Sequence, residues 1–314
     1  MANRQPLFLA GPTAVGKSAL ALALAEKLGG EIISVDSMHV YRGLDLGTAK
    51  PTAAERARVP HHLIDVVDLT APFDAAKFVT LAQKAVTEIA ARGHVPIFCG
   101  GTGLYFKAYL AGLGEAPPSD ELLRAELEAT PLAELLRELE HDDPATFARI
   151  DRRNPRRVVR AIEVIRITGK PFSSQRAAWI PVAGFPSSAQ LCCLARQTAD
   201  LHARINIRVE EMFAHGLVAE TRQLLHQGLE QNRTAMQAIG YRQVVEHLRG
   251  ERSLTATMEL VKARTRQYAK RQRTWFRQQF QGRWIELAPN AALADMLTAV
   301  LDHTKAPPLA SELR

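Results

Sequence analysis

Gly11, Pro12, Thr13, Ala14, Val15, Gly16, Lys17 and Ser18 spell the pattern G-x-x-x-x-G-K-[S/T], and their flanks constrain the fold more than any other feature of the chain. An apolar run, Leu7 to Ala10, leads in, and an alanine- and leucine-rich segment from Ser18 to Leu28 leads out. Strand, glycine-bearing loop and helix in that order aim backbone N–H groups and a helix N-terminus at one point. Lys17 adds a positive charge there, and the Ser18 hydroxyl can ligate Mg²⁺. Such a segment grips a phosphate group, and its strand belongs in a sheet whose carboxyl edge carries the ligand.

The next elements keep the alternation. Strand 6–10 leads to helix 17–28 and strand 31–35; an irregular stretch, 36–73, carries Gly43, Gly47, Pro51, Pro60, Pro72 and a short apolar run from Leu63 to Val67. Helix 74–92 and strand 94–99 follow. This order predicts an α/β fold with a P-loop NTPase-like parallel sheet core. After Gly112–Pro118 the pattern changes to short helices without strand signal over 119–170, acidic early and basic late. Pro171, Pro181, Gly184 and Pro186 mark a return loop, and a β-like run from Ala189 to Leu194 rejoins the sheet. From Asp200 the pattern is helical almost to the end, and the last ten residues read as a frayed tail. The expected organisation is a discontinuous catalytic core, 1–115 and 188–314, split by a helical insertion domain, 116–187, and ending in a helical C-terminal region.

Three cysteines, Cys99, Cys192 and Cys193, lie in apolar strand-like runs with no C-x-x-C pair. Neither a structural zinc nor a disulfide framework is indicated; buried reduced thiols and a cytoplasmic location are expected. No basic-then-apolar leader and no run of membrane-spanning length is present, so no membrane partner is expected.

Three features beyond the phosphate loop bear on chemistry. Asp36 directly follows strand 31–35, where it could ligate Mg²⁺, act as a general base for an acceptor facing the phosphates, or simply form a turn. Gly100-Gly101-Thr102-Gly103 ends another strand; it would let a backbone approach a ligand closely, with the Thr102 hydroxyl beside it, or serve as a tight turn. The net charge of +7 is concentrated in two stretches. Residues 149–170 hold eight basic and two acidic side chains, with Arg153, Arg156, Arg157 and Arg160 at helical spacing beside apolar Val158, Ile162 and Ile165. Residues 262–283 hold eight basic and no acidic ones, with Lys262, Arg266, Lys270, Arg273 and Arg277 as a stripe and Tyr268, Trp275 and Phe276 interleaved. One such run is commonly a solvated helix face; two without balancing acids fit a nucleic-acid backbone. Arg204 and Arg208, one helical turn apart, could reach a diphosphate.

Six ordered blocks together resemble the tRNA dimethylallyltransferases, or tRNA isopentenyltransferases. They are 11–18, Asp-Ser-Met-His-Val-Tyr-Arg-Gly-Leu-Asp-Leu-Gly-Thr-Ala-Lys-Pro at 36–51, Gly-Gly-Thr-Gly-Leu-Tyr at 100–105, Asn-Pro-Arg-Arg-Val-Val-Arg-Ala-Ile-Glu-Val at 154–164, Gln-Ala-Ile-Gly-Tyr-Arg at 237–242, and Thr-Arg-Gln-Tyr-Ala-Lys-Arg-Gln-Arg-Thr-Trp-Phe-Arg at 265–277. The resemblance implies transfer of a dimethylallyl group from dimethylallyl diphosphate to N6 of adenosine 37, beside the anticodon, in tRNAs reading codons that begin with U. It implies that the phosphate loop holds the donor's diphosphate without NTP hydrolysis and that Asp36 takes the N6 proton. Lys17, Arg208 and Mg²⁺ bound through Ser18 would stabilise the departing diphosphate, and Thr102 would position the adenine or polarise the leaving oxygen.

By the same likeness, Asp36, Ser37, Met38 and His39, then Thr102 and Arg124, then Arg156, Arg157, Val158, Val159 and Arg160, and finally Gln237, Ala238, Ile239, Gly240, Tyr241 and Arg242 would contact the anticodon stem-loop. His39 departs from the pattern, since relatives often carry glutamine or an apolar residue there; Pro117-Pro118-Ser119-Asp120 is a variant of a proline-containing loop. A monomer is expected. The competing readings are prenyl transfer to free AMP or ADP, a P-loop nucleotide kinase, and an RNA-binding NTPase switch.

Overall fold

The computed structural model describes residues 5–113, 117–175, 191–280 and 283–305. Six strands, β1 (Leu7–Ala10), β2 (Gly30–Val35), β3 (His61–His62), β4 (Val95–Gly100), β5 (Leu191–Arg196) and β6 (Arg283–Leu287), form one sheet in the order β3-β2-β4-β1-β5-β6. Every pairing is parallel, as helical crossovers require. The helices are α1 (Lys17–Leu28), α2 (Ala53–Arg58), α3 (Ala75–Ala91), α4 (Gly103–Ala111), α5 (Glu121–Ala129), α6 (Leu132–Asp142), α7 (Pro144–Arg149), α8 (Pro155–Thr168) and α9 (Phe172–Gln175). After β5 come α10 (Thr198–Ala214), α11 (Leu217–His226), α12 (Tyr241–Leu248), α13 (Leu254–Gln279) and α14 (Leu293–Lys305). The chain divides into two compact units, Met1–Tyr109 with Gly184–Arg314, and Leu110–Ala183.

In the sheet-bearing unit, Leu20, Ala21, Leu24 and Ala25 of α1 pack with Leu9, Ile32, Ile97, Cys192 and Leu194 into one apolar cluster that also takes Ile205 and Val209 of α10. Rings also pack within this unit: Phe8 stacks on Phe98 and Phe98 meets Tyr109, with centroids 4.8 and 4.5 Å apart. In the other unit α5, α6 and α8 bury Leu127, Leu135, Leu139, Val158, Val159 and Ile162 together. Local signals set the ends of α8: the Asn154 side chain caps it, Pro155 opens it, and Gly169 at φ 65° stops it.

Strand register determines where ligands can sit. β4 lies between β1 and β2, and Gly100 pairs with both Ala10 and Val35. Gly11, Asp36 and Gly101 therefore leave the sheet side by side at its carboxyl edge. β1 is also where the order reverses, since β2 and β3 build out on one side and β5 and β6 on the other. The close approach at this edge requires glycine, because a Cβ on Gly100 would stand 2.1 Å from the Val35 carbonyl oxygen.

Core elements lie where periodicity predicted them, within a residue or so at each end. Three segments differ. The stretch read as irregular holds a short strand, His61–His62, paired to Ile32 and Ile33, and the apolar run after it turns back at Leu63 and Asp65 with φ of 61° and 56°. The irregular stretch also contains α2, held by a Thr52–Glu55 capping box. The C-terminal region is not helical throughout: Arg283–Leu287 forms β6 beside β5. Residue 189 and the expected junctions at 115/116 and 187/188 lie outside the described residues, as do Pro181, Gly184, Pro186 and the tail beyond 305. No described helix is long and apolar enough to cross a membrane.

Gly100→Ala should therefore lower the free energy of unfolding by about 1–3 kcal/mol, the range for overpacking, as read from urea denaturation.

Candidate active site

The phosphate loop is held open by its carbonyls. Gly11, Ala14 and Gly16 take φ of 147°, 63° and 109°. Lys17 Nζ donates to the Pro12 carbonyl (2.7 Å), Arg204 Nε to that of Ala14 (3.0 Å), and Arg196 Nε to that of Val15 (2.9 Å). With these carbonyls occupied, the first turn of α1 opens without a side-chain cap or an acidic residue. Uncapped N–H groups at a helix start, with Lys17 beside them, suit an anion. Ser18 is exposed at the same end.

A cavity of about 490 Å³ opens on this loop. Thr13, Lys17, Ser18, Arg204 and Arg208 line one part of it, Asp36, Ser37, Met38 and His39 another, and Val209, Met212, Ala238, Ile239 and Val261 form an apolar wall. Arg208 donates to Thr13 Oγ1 (3.4 Å), whereas the Arg204 Nε is committed to Ala14. Burial and the neighbouring Arg204 push the Arg208 guanidinium below its usual value, and burial pushes the Lys17 ammonium down to about 8, with Arg208 adding to the effect and Asp36 opposing it.

The acceptor-side loop is also tied. Asp36 Oδ1 accepts from Met38 N–H (2.8 Å), so it is a turn former as well as a cavity-lining carboxylate. Thr102 Oγ1 accepts from Ser37 N–H (3.1 Å), which brings the Gly-Gly-Thr-Gly loop against Asp36-Ser37. His39 Nε2 lies 3.0 Å from the Thr48 carbonyl and Nδ1 2.9 Å from Ser34 Oγ. A carbonyl only accepts, so Nε2 carries the hydrogen and Nδ1 accepts from the serine hydroxyl. Both ring nitrogens are committed, and His39 serves as an anchor for the 36–51 segment. Lys50 is a second anchor, buried with its Nζ on the Tyr41 carbonyl (2.6 Å) and Asp45 (2.8 Å).

Other predicted positions separate into two kinds. Gln237, Ala238 and Ile239 line the cavity, but Gly240 (φ 103°) turns the chain away, so Tyr241 is buried with its hydroxyl 2.5 Å from Glu220, and Arg242 pairs with Glu246. Tyr241 thus presents no side-chain surface to solvent. Val158 and Val159 are likewise buried and face the apolar core of their unit. There Arg156 and Arg157 are exposed, while Arg124 and Arg160 both grip buried Glu163 (2.7 and 2.6 Å). Burial pushes the Glu163 carboxyl up, but bonds from Ser119 and Arg160 and the charges of Arg124 and Arg160 outweigh it and hold the group below its usual value. Arg153 precedes α8 and drops out of the expected helix face.

The α13 stripe needs a larger correction. Lys262 pairs with Glu210 and Glu259, Arg266 with Asn206, and Arg273 with Thr198, so these three turn inward toward α10 or along the helix. Lys270 and Arg277 stay exposed, and Arg264, Gln267, Arg271 and Thr274 are exposed on the same helix. An adjoining face of α13, Val261, Thr265, Tyr268 and Gln272, lines the cavity at i, i+4, i+7, i+11, and Arg271 lines it from the edge of this exposed ridge; the period is visible in the sequence but masked by the charges. Two supporting residues carry no signal of their own in the sequence: Gln272, one polar residue inside the 265–277 block, and the buried Arg196. Among the described residues no three His, Cys, Asp or Glu side chains converge as a metal-binding group.

Because Lys17 must be charged to hold an anion and its pKa is lowered, affinity should be full below about pH 8 and fall above it. Binding of an unreactive organic diphosphate ester, followed by calorimetry, should weaken about thirtyfold between pH 7 and pH 9.5, and this dependence should vanish in Lys17→Met.

A family model described as IPP transferase matches residues 39–279. The chain is 46% identical over 290 residues to tRNA dimethylallyltransferase 1 of Trichlorobacter lovleyi, covering 91% of this chain and 95% of the relative. The full-length tRNA isopentenylpyrophosphate transferase of Bacillus halodurans superposes with a TM-score of 0.69 at 36% identity, over 96% of this chain and 97% of its own. A eukaryotic dimethylallyltransferase, solved acting on tRNA, gives a TM-score of 0.80 at 27% identity, over 98% of this chain and 81% of its own. With a phosphate loop, a carboxylate and an apolar wall around one cavity, and likeness over nearly the whole length, the chain belongs to the IPP transferase family.

Proposed function

We propose that this protein transfers a dimethylallyl group from dimethylallyl diphosphate to N6 of adenosine 37, beside the anticodon, in tRNAs reading codons that begin with U. The observation that carries the reading is the composition of the cavity: the phosphate loop with Lys17 and Arg208, the apolar side chains of Val209, Met212, Ile239 and Val261, and the Asp36 carboxylate all line it. In the reaction the allylic C1–O bond breaks and its electron pair leaves with the diphosphate. The N6 lone pair forms the new C1–N bond, and the N6 proton passes to the Asp36 carboxylate. An exocyclic amine is a weak nucleophile while an allylic carbon ionises readily, so stabilising the leaving group is the larger catalytic term. Lys17, Arg208 and the N–H groups at the start of α1 do that work, and Asp36 adds general-base assistance.

Mg²⁺ fits this donor set. The lone Ser18 hydroxyl, without a cluster of acidic residues, suits a cation that takes its other ligands from diphosphate and water. Bound there, it would supply further neutralisation of the leaving oxygens. Thr102, tied to Ser37, fixes the acceptor loop. Phosphates of the anticodon stem-loop would lie on Arg156, Arg157 and the Arg264–Lys270–Arg271 ridge, whose charges are exposed. The target base must leave its stack to reach the cavity. The protein acts as a monomer in the cytoplasm; its cysteines are free and Cys192 and Cys193 buried, as suits a reducing compartment.

Mass spectrometry of nucleosides from tRNA incubated with the protein, dimethylallyl diphosphate and Mg²⁺ tests the reading and should reveal N6-dimethylallyladenosine; prenylated AMP or phosphorylated nucleotide in its place would refute it. Asp36→Asn, which can keep the Met38 turn bond, should lower single-turnover transfer by about 10²–10⁴-fold with RNA affinity retained.

A further inference from the structure

Gln272 lies on α13 between two loops that belong to different halves of the reaction. Its amide is buried, with Oε1 accepting from Thr13 N–H at 2.9 Å and Nε2 donating to the Gly101 carbonyl at 2.9 Å. Thr13 belongs to the phosphate loop. Gly101 precedes Thr102, whose hydroxyl oxygen accepts from Ser37 N–H, next to Asp36. A connected path of hydrogen bonds and short backbone segments thus runs from the loop for the donor's diphosphate to the loop bearing the carboxylate. The fit leaves no room for a side chain at 101, since a Cβ there would stand 2.1 Å from Gln272 Nε2. A primary amide accepts from one loop and donates to the other; an ionised carboxylate only accepts, and lysine or arginine only donates.

We propose that Gln272 is a positioning residue that sets the separation between the donor's allylic carbon and the accepting nitrogen, acting through the two loops rather than on either substrate. This rests on the prenyl-transfer reading above. Reacting atoms must lie about 3–3.5 Å apart, and displacement by about 1 Å costs on the order of 100-fold. Because both amide atoms are spent on backbone, the loss of Gln272 falls on turnover rather than on binding.

The test uses Gln272→Leu and Gln272→Glu in the full chain, with an anticodon stem-loop RNA, dimethylallyl diphosphate and Mg²⁺. Gln272→Leu should lower kcat on the order of 100-fold while KM for each substrate moves less than about threefold. Gln272→Glu should be comparably slow at neutral pH. Its activity relative to the parent chain should recover as pH falls toward the carboxyl range, because a protonated carboxyl accepts and donates as the amide does. If Gln272→Leu does not fold, the pH-dependent ratio for Gln272→Glu decides. Parental kcat in either variant, a loss confined to KM, or a Gln272→Glu deficit that acid does not relieve would overturn the proposal; failure of both variants to fold would assign Gln272 to the fold instead. Absence of any prenylated adenosine with the parent chain would overturn the functional reading itself.

Discussion

Three cationic side chains bound to three carbonyls of one loop are the interaction on which the rest of the site depends. Lys17, Arg204 and Arg196 hold the oxygens of Pro12, Ala14 and Val15, and they come from α1, α10 and the end of β5. A loop with its carbonyls drawn back leaves N–H groups other than that of Thr13 for a ligand, at the N-terminus of a helix where partial positive charge already accumulates. Arg196 is itself buried and held by Asp200 and the Ala288 and Pro289 carbonyls, so the loop is fastened to segments far along the chain. The ligand site is therefore a product of the whole sheet-bearing unit.

The sheet supplies the second constraint. Because Gly100 pairs with both Ala10 and Val35, three loops emerge in one row, and the chemistry is divided among them: phosphate grip after β1, carboxylate after β2, fixing hydroxyl after β4. α10 and α13 add both cations, Arg204, Arg208 and Arg271, and apolar side chains, Val209, Met212 and Val261, to the same cavity. A site with both kinds of lining suits a substrate that is charged at its head and oily at its tail. On the proposed function, this loop holds a leaving group and hydrolyses no nucleotide.

Much of this was legible in the residues. The phosphate loop, Asp36 and the Gly-Gly-Thr-Gly turn each follow an apolar strand, and the alternation of strand and helix alone places them on one edge. What could not be read was which face of a charged helix points inward. Lys262, Arg266 and Arg273 share a period with Lys270, yet pairing with Glu210, Asn206 and Thr198 separates them, and such partners lie 52 to 75 residues away in the chain. Block matching likewise brought Val158, Val159 and Tyr241 along with their neighbours, although those side chains are buried. β6 was hidden because five residues between two helices carry too little period to stand out, and its pairing with β5 is a tertiary event.

The most direct measurement is a crystal structure of the protein with an anticodon stem-loop and dimethylallyl thiodiphosphate, a donor that reacts slowly. The account predicts the diphosphate oxygens on the N–H groups at the start of α1 and on Lys17, the hydrocarbon against Met212 and Ile239, and the adenine N6 within hydrogen-bond reach of Asp36. A diphosphate bound elsewhere, or an adenine lying away from Asp36 with the donor in place, would contradict it.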